Sequence, residues 1–127
     1  MPLTPDTTYV HLAHDGSVTP VPGGEAFWGL PPEQLSAFDQ GWLITEFECT
    51  QDWSTWERHP QGDEFVYLLS GDAALVLALA EGETVVRLTG RAAQLVPRGV
   101  WHTARVFAPS RMLFVTRGEG TEHRPVG

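Results

Sequence analysis

Short apolar stretches separated by turn formers dominate the pattern of this chain. Trp42 to Glu48 alternates apolar with polar, Phe65 to Leu69 is aromatic and branched, and Ala73 to Ala80 is a continuous apolar run. Gly71-Asp72 and Glu81-Gly82 bound that run, and the chain then returns through Thr84 to Leu88, which predicts a hairpin of two strands rather than a buried helix. Ala92 to Val96, Thr103 to Phe107 and Met112 to Thr116 extend the series at near-regular spacing, the signature of an antiparallel sandwich or barrel. One short helix is expected over Pro31 to Phe38, where a proline pair suits a helix start, Glu33 falls in the first turn, and Leu35 and Phe38 lie three apart on one face.

Thirteen glycines and ten prolines supply the punctuation, and 127 residues suit one domain with a sizeable core. We expect an N-terminal arm over 1–40, a barrel over 41–117 and a short solvated tail over 118–127. Sixteen acidic against eight basic residues, a net charge of −8, disfavour a nucleic-acid partner. The longest apolar run, eight residues, is far short of the roughly 20 that a membrane-spanning helix needs. With no basic and apolar leader in the first residues, the expectation is a cytoplasmic protein without a membrane partner. The lone Cys49 reads as a small core residue, since no second thiol can pair with it and no basic neighbour activates it.

Two segments gather residues able to hold a metal. On a strand, Glu57 and His59 are two apart and share a face, and Pro60 and Gly62 then break the strand so that Glu64 can swing back to the same point. In the second segment Pro97-Arg98-Gly99 is a turn feeding a strand that begins near His102. Side by side, these units would bring Glu57, His59, Glu64 and His102 together. That mixed nitrogen and oxygen set suits one divalent ion, Fe, Mn, Ni or Zn. The alternative is a metal-free barrel whose polar lining is merely hydrogen-bonded or wet.

The two segments resemble the two motifs of the cupin superfamily. The first motif of that family runs from His-x-His through three or four residues to Glu, then six residues to Gly. Here His59, four residues, Glu64, six residues and Gly71 match it. The second is matched by Gly90, Pro97-Arg98-Gly99 and His102. Three positions depart from the pattern: Glu57 stands where the first histidine would be, the spacer before Pro97 is one residue longer, and Val106 replaces the terminal Asn. The exchange of imidazole for carboxylate hardens the ligand set and favours Mn or Fe over Cu.

The resemblance implies an all-β double-stranded β-helix, a jelly-roll barrel with one short helix. It further implies a homodimer in which the proline-rich arm, with Phe27, Trp28 and Phe38, could cover a partner's sheet. For function it implies a metal-dependent enzyme of dioxygenase or isomerase type acting on a small organic molecule, with a non-catalytic ligand-binding or sensor barrel as the alternative. Glu57 is a candidate both as ligand and as general base. Trp53 and Thr55 share its parity and are candidates to contact substrate, whereas Trp56 and Arg58 should point away. Tyr67, Trp101, Phe107, Met112 and Phe114 are expected in core or subunit packing. His11 and His14, beside Asp15, are expected at the surface or an interface. The tail from Gly118 to Pro125 is expected to be solvated, with a lid over the cavity as the alternative. No phosphate-cradling glycine loop or nucleophile elbow is present, so kinase and serine-hydrolase chemistry fall away.

Overall fold

The computed structural model describes residues 2–127. Nine strands carry the fold: β1 (Thr8–Leu12), β2 (Val18–Pro22), β3 (Trp42–Cys49), β4 (Thr55–Arg58), β5 (Glu64–Leu79), β6 (Gly82–Thr89), β7 (Ala93–Val96), β8 (His102–Thr116) and β9 (Glu122–Pro125). Every pairing is antiparallel. The two long strands β5 and β8 pair along most of their length and pass through both layers of a jelly-roll barrel. At one end they continue into β7 on one side and β3, β1 and β2 on the other. At the other end they continue into β6 and into β4 and β9.

Each long strand is expected from the sequence as two shorter ones, Phe65 to Leu69 and Ala73 to Ala80 about Gly71-Asp72, and Thr103 to Phe107 and Met112 to Thr116. The register between β5 and β8 slips between Leu68 and Ala73, and the chain stays extended through the slip. One bulge residue changes which parity faces inward. The buried positions of β5 accordingly pass from Val66 and Leu68 to Leu75 and Leu77 without a break in the strand. Pro109 is tolerated in the middle of a sheet because it falls opposite this slip, where the ladder asks for no amide. Gly71 sits there at φ +104, and a Cβ on it would collide with Ser110 Oγ and lie 2.5 Å from the Pro109 carbonyl oxygen. We therefore expect Gly71→Ala to cost about 2 kcal/mol or more, read as a lower denaturant midpoint. An unchanged midpoint would show that the slip can relax.

The main core joins Val66, Leu68, Leu75, Leu77, Leu88, Val96, Ala104, Met112 and Phe114 between the layers, with Cys49 and Trp53 packed on its edge. Burial pushes the Cys49 thiol up from its ordinary value, as expected of a packed rather than a reactive thiol. Phe107 is not part of this core: inward positions on β8 are even-numbered, and Phe107 is 53% exposed with the Arg87 guanidinium over its ring. Tyr67 is half-buried under Arg91, and Trp101 is half-buried beneath the guanidinium groups of Arg58 and Arg124.

A second cluster centres on Tyr9, Val21 and Phe27. The arm therefore adds β1 and β2 to its own barrel, and its ring side chains fold inward. The single expected helix is realised as α2 (Pro32–Leu35) and a 3-10 turn over Ser36–Phe38. A further helical turn, α1 (Glu25–Trp28), precedes it. Four residues show no readable periodicity, and burial of Phe27 rather than propensity holds this turn in place. His11 is also corrected: it is 7% exposed, its Nε2 contacts the Gln40 carbonyl, and its ring packs edge-on against Phe38. His14 is exposed, as expected, beside Arg117. No helix among the described residues is long and apolar enough to cross a membrane.

Candidate metal centre

Strand β4 sets the first half of the site. Its odd positions face the barrel interior, and Glu57 lies directly opposite His102, the first residue of β8. His59 follows β4, and its carbonyl accepts the Gly99 amide at 3.0 Å, which ties the Pro97-Arg98-Gly99 turn to the first segment. Gly99 has φ +75, a left-handed conformation that glycine adopts without strain. The Pro60–Asp63 turn then delivers Glu64 as the first residue of β5. Gly62 fits there because a side chain would meet Arg117 at 3.0 Å and Trp42 at 3.1 Å.

Ligand atoms of Glu57, His59, Glu64 and His102 all lie within 4.8 Å of one another. His59 Nε2 is 3.3 Å from Glu57 Oε1 and 3.3 Å from Glu64 Oε2. His102 Nε2 is 3.4 Å from Glu57 Oε1 and 3.1 Å from Glu64 Oε1. His59, Glu64 and His102 are buried, and Glu57 retains some exposure. These contacts are electrostatic: His59 Nε2, His102 Nε2 and Glu64 Oε1 are buried and have no aligned hydrogen-bond partner. Three buried polar atoms left so and gathered at one point are what a bound cation would satisfy. Two imidazole nitrogens and two carboxylates fit a divalent ion of borderline to hard character.

The far side of each imidazole fixes which nitrogen is offered. His102 Nδ1 donates to the Val100 carbonyl at 3.0 Å. His59 Nδ1 lies 2.9 Å from Thr121 Oγ1, whose own hydrogen goes to the Gly118 carbonyl at 2.8 Å. The hydroxyl can therefore only accept from His59, and both rings carry hydrogen on Nδ1 and present Nε2 to the site. Thr116 Oγ1 donates to Glu64 Oε2 at 2.6 Å and holds that carboxylate in place. Partners of this kind are worth roughly 10–100-fold in metal affinity. Thr121→Val should therefore weaken metal binding about tenfold in a chelator competition, and unchanged affinity would show that the ring needs no such anchor.

The charges within the cluster reinforce one another. Burial opposes ionisation of Glu57 and Glu64, but the facing imidazoles His102 and His59 outweigh it and hold both carboxyls below their ordinary range. Burial likewise works to lower the two histidines, yet Glu57 and Glu64 outweigh it and push His59 up to about 9 and His102 up to about 10. With no ion bound, the cluster is two ion pairs.

Glu57, His59 and Glu64 line a cavity of about 820 Å³, and His102 lies fully buried beside them. Trp53 and Thr55 both line this cavity, and Trp53 packs 6.4 Å from the His102 ring. Trp56 and Arg58 lie on the outer side of β4, where Arg124 covers Trp56 and Arg58 pairs with Glu122. The tail is exposed over 122–127, as expected, but it also forms strand β9, paired with β4 so that His123 stands opposite Glu57. His123 Nε2 lies 3.3 Å from Glu57 Oε2, and Thr121 and His123 both line the cavity. Sequence reasoning missed both residues, because an exposed four-residue edge strand of polar side chains carries no apolar alternation. Their two-residue spacing was the one readable signal.

No family model and no curated protein matches the chain. Solved structures do match its architecture. A cupin superfamily protein from Desulfitobacterium hafniense aligns with TM-score 0.52 and 20% identity over 61% of this chain and 68% of its own. Hydroquinone 1,2-dioxygenase from Sphingomonas sp. TTNP3 aligns with TM-score 0.51 and 22% identity over 61% of this chain and 60% of its own. Bacillus subtilis oxalate decarboxylase, which has Mn(II) centres, aligns with TM-score 0.53 and 15% identity over 67% of this chain. The chain spans only 23% of the decarboxylase. This chain has the cupin fold. At such low identities the likeness establishes the fold alone, and the chemistry must be argued from the residues.

Proposed function

We propose that the protein is a metal-dependent enzyme of oxygenase or isomerase type acting on a small organic molecule. Glu57, His59, Glu64 and His102 would hold one divalent ion, Fe, Mn, Ni or Zn. The observation that carries the reading is the position of the cluster. Its ligand atoms converge beside a roomy cavity that Glu57, His59 and Glu64 line. A structural site would be sealed, whereas a catalytic one keeps a side open to substrate.

When bound, the ion would supply Lewis acidity, or redox capacity if it is Fe or Mn. The chain's own residues supply the rest. Glu64, at 2% exposure, and the two anchored imidazoles form a buried, oriented wall on one side of the site. Glu57 is the most exposed of the four, and one of its carboxylate oxygens faces the imidazoles while the other faces His123. It is therefore placed to exchange a proton at Oε2 with a group in the cavity while Oε1 stays with the cluster. Trp53 and Thr55 would bear on the substrate from the same strand face.

The test is Glu57→Ala in protein purified without a metal-affinity tag. Metal content by elemental mass spectrometry and melting temperature should fall together, and Glu57→His should restore binding with selectivity shifted toward softer ions. Unchanged metal content in Glu57→Ala would remove Glu57 from the ligand set. Oxygen uptake or isomerisation with phenols, ketones and small organic acids then separates an enzyme from a non-catalytic ligand-binding barrel.

A further inference from the structure

The cavity lining has two chemically different parts. Besides the carboxylates and imidazole of the cluster, it includes Phe27, Trp28, Leu35, Phe38, Leu43 and Phe47, most of them from the second apolar cluster around Tyr9. The rings hold one another edge-on or tilted: Phe27 lies 4.8 Å from Trp28 and 5.4 Å from Phe38, and Phe47 lies 5.8 Å from Phe114. Trp28 is fixed through its indole N–H, which donates to the Tyr9 hydroxyl at 3.2 Å, and it remains 53% exposed at the rim. Rings clamped by one another present a preformed apolar slot at little further ordering cost.

Away from the cluster the lining offers an anion no free cation. No arginine lines the cavity among the described residues, and its imidazoles, His59 and His123, stand beside Glu57. Asp39, Glu48 and Asp52 line it too, with Glu48 paired to Arg111 at 3.0 Å. An anionic group away from the cluster would lose its water and meet carboxylates instead of a partner.

From these two observations we propose that the cavity takes a ring-bearing, largely apolar molecule, with one oxygen head group turned toward Glu57, His59, Glu64 and His102 and no second anionic group. The head-group orientation rests on the metal-centre reading above. The selection for an uncharged ring rests only on the apolar slot and on a lining whose imidazoles are already paired with Glu57 and Glu64, so it holds with or without an ion.

The test uses the full chain, once stripped of metal and once loaded with Mn. Dissociation constants are measured by calorimetry for 2-naphthol and for its sulfonated counterpart, 6-hydroxynaphthalene-2-sulfonate. 2-Naphthol should bind at least tenfold more tightly in both forms. Phe38→Ala, with Leu35→Ala as a milder second variant, should weaken it severalfold. Asp39→Arg should narrow the gap between the two ligands by offering the sulfonate a partner. Equal or tighter binding of the sulfonate, or no binding of 2-naphthol to either form, would overturn the proposal. Discrimination that persists in a protein unable to bind any metal would overturn the metal-centre reading and leave this one standing.

Discussion

Replacing both His59 and His102 by alanine is expected to abolish stoichiometric metal binding. Each ring offers Nε2 to the cluster, with the opposite nitrogen committed to Thr121 or to the Val100 carbonyl. Partners that only orient a ligand are worth roughly 10–100-fold each, so removing two ligands outright should weaken binding by at least about 100-fold and toward about 10,000-fold. The double variant also leaves Glu64 buried without an opposing charge, which lowers stability apart from any effect on metal. The matched pair His59→Gln and His102→Gln keeps polar bulk in place and guards against a trivial loss of fold. Elemental mass spectrometry on tag-free protein, with circular dichroism to confirm the fold, reads the outcome. Full metal retention in the double variant would overturn the site.

Metal affinity should climb steeply with pH, and the climb should level off only above about 9 to 10. In the ion-free protein both imidazoles are protonated through neutral pH, because the facing carboxylates raise His59 to about 9 and His102 to about 10. An entering ion must displace both protons, so the apparent affinity should rise about 100-fold per pH unit below that range. Stability of the ion-free protein runs the other way. Groups raised above their unfolded value near 6.5 contribute stability that is present below that pH and is lost as pH rises through the folded values. The melting temperature of ion-free protein should therefore fall from about pH 6.5 to pH 10, while the gap to the loaded protein widens. Release of two protons per ion, measured by calorimetry in buffers of different ionisation enthalpy, checks the count. Release of none would mean that the imidazoles are already neutral.

Much of this site was legible because strand geometry is simple. Parity alone placed Glu57 and His59 on one face with Thr55 and sent Trp56 and Arg58 outward. Pro60 and Gly62 marked the turn that returns Glu64. What escaped was governed by neighbours distant in the chain. Gly71 and Pro109 each look like the end of a strand. They become the middle of one only because they face each other across β5 and β8, where the slip in register absorbs both irregularities. His11 and Phe27 gave no local sign of burial; they are covered by Phe38 and Tyr9, which the fold brings from elsewhere. The tail was unreadable because β4 rather than its own apolar content holds it in place.

That last strand has a consequence for how the protein matures. Thr121 reaches His59 across 62 positions of sequence, and His123 stands opposite Glu57. Contacts this distant in the chain form late in folding, after the loop between them has closed. β4 gains most of its ladder, and the first imidazole its Thr121 anchor, only once β9 is in place. Ion capture at full affinity thus waits on that strand, and a chain lacking it should hold its ion about tenfold more weakly.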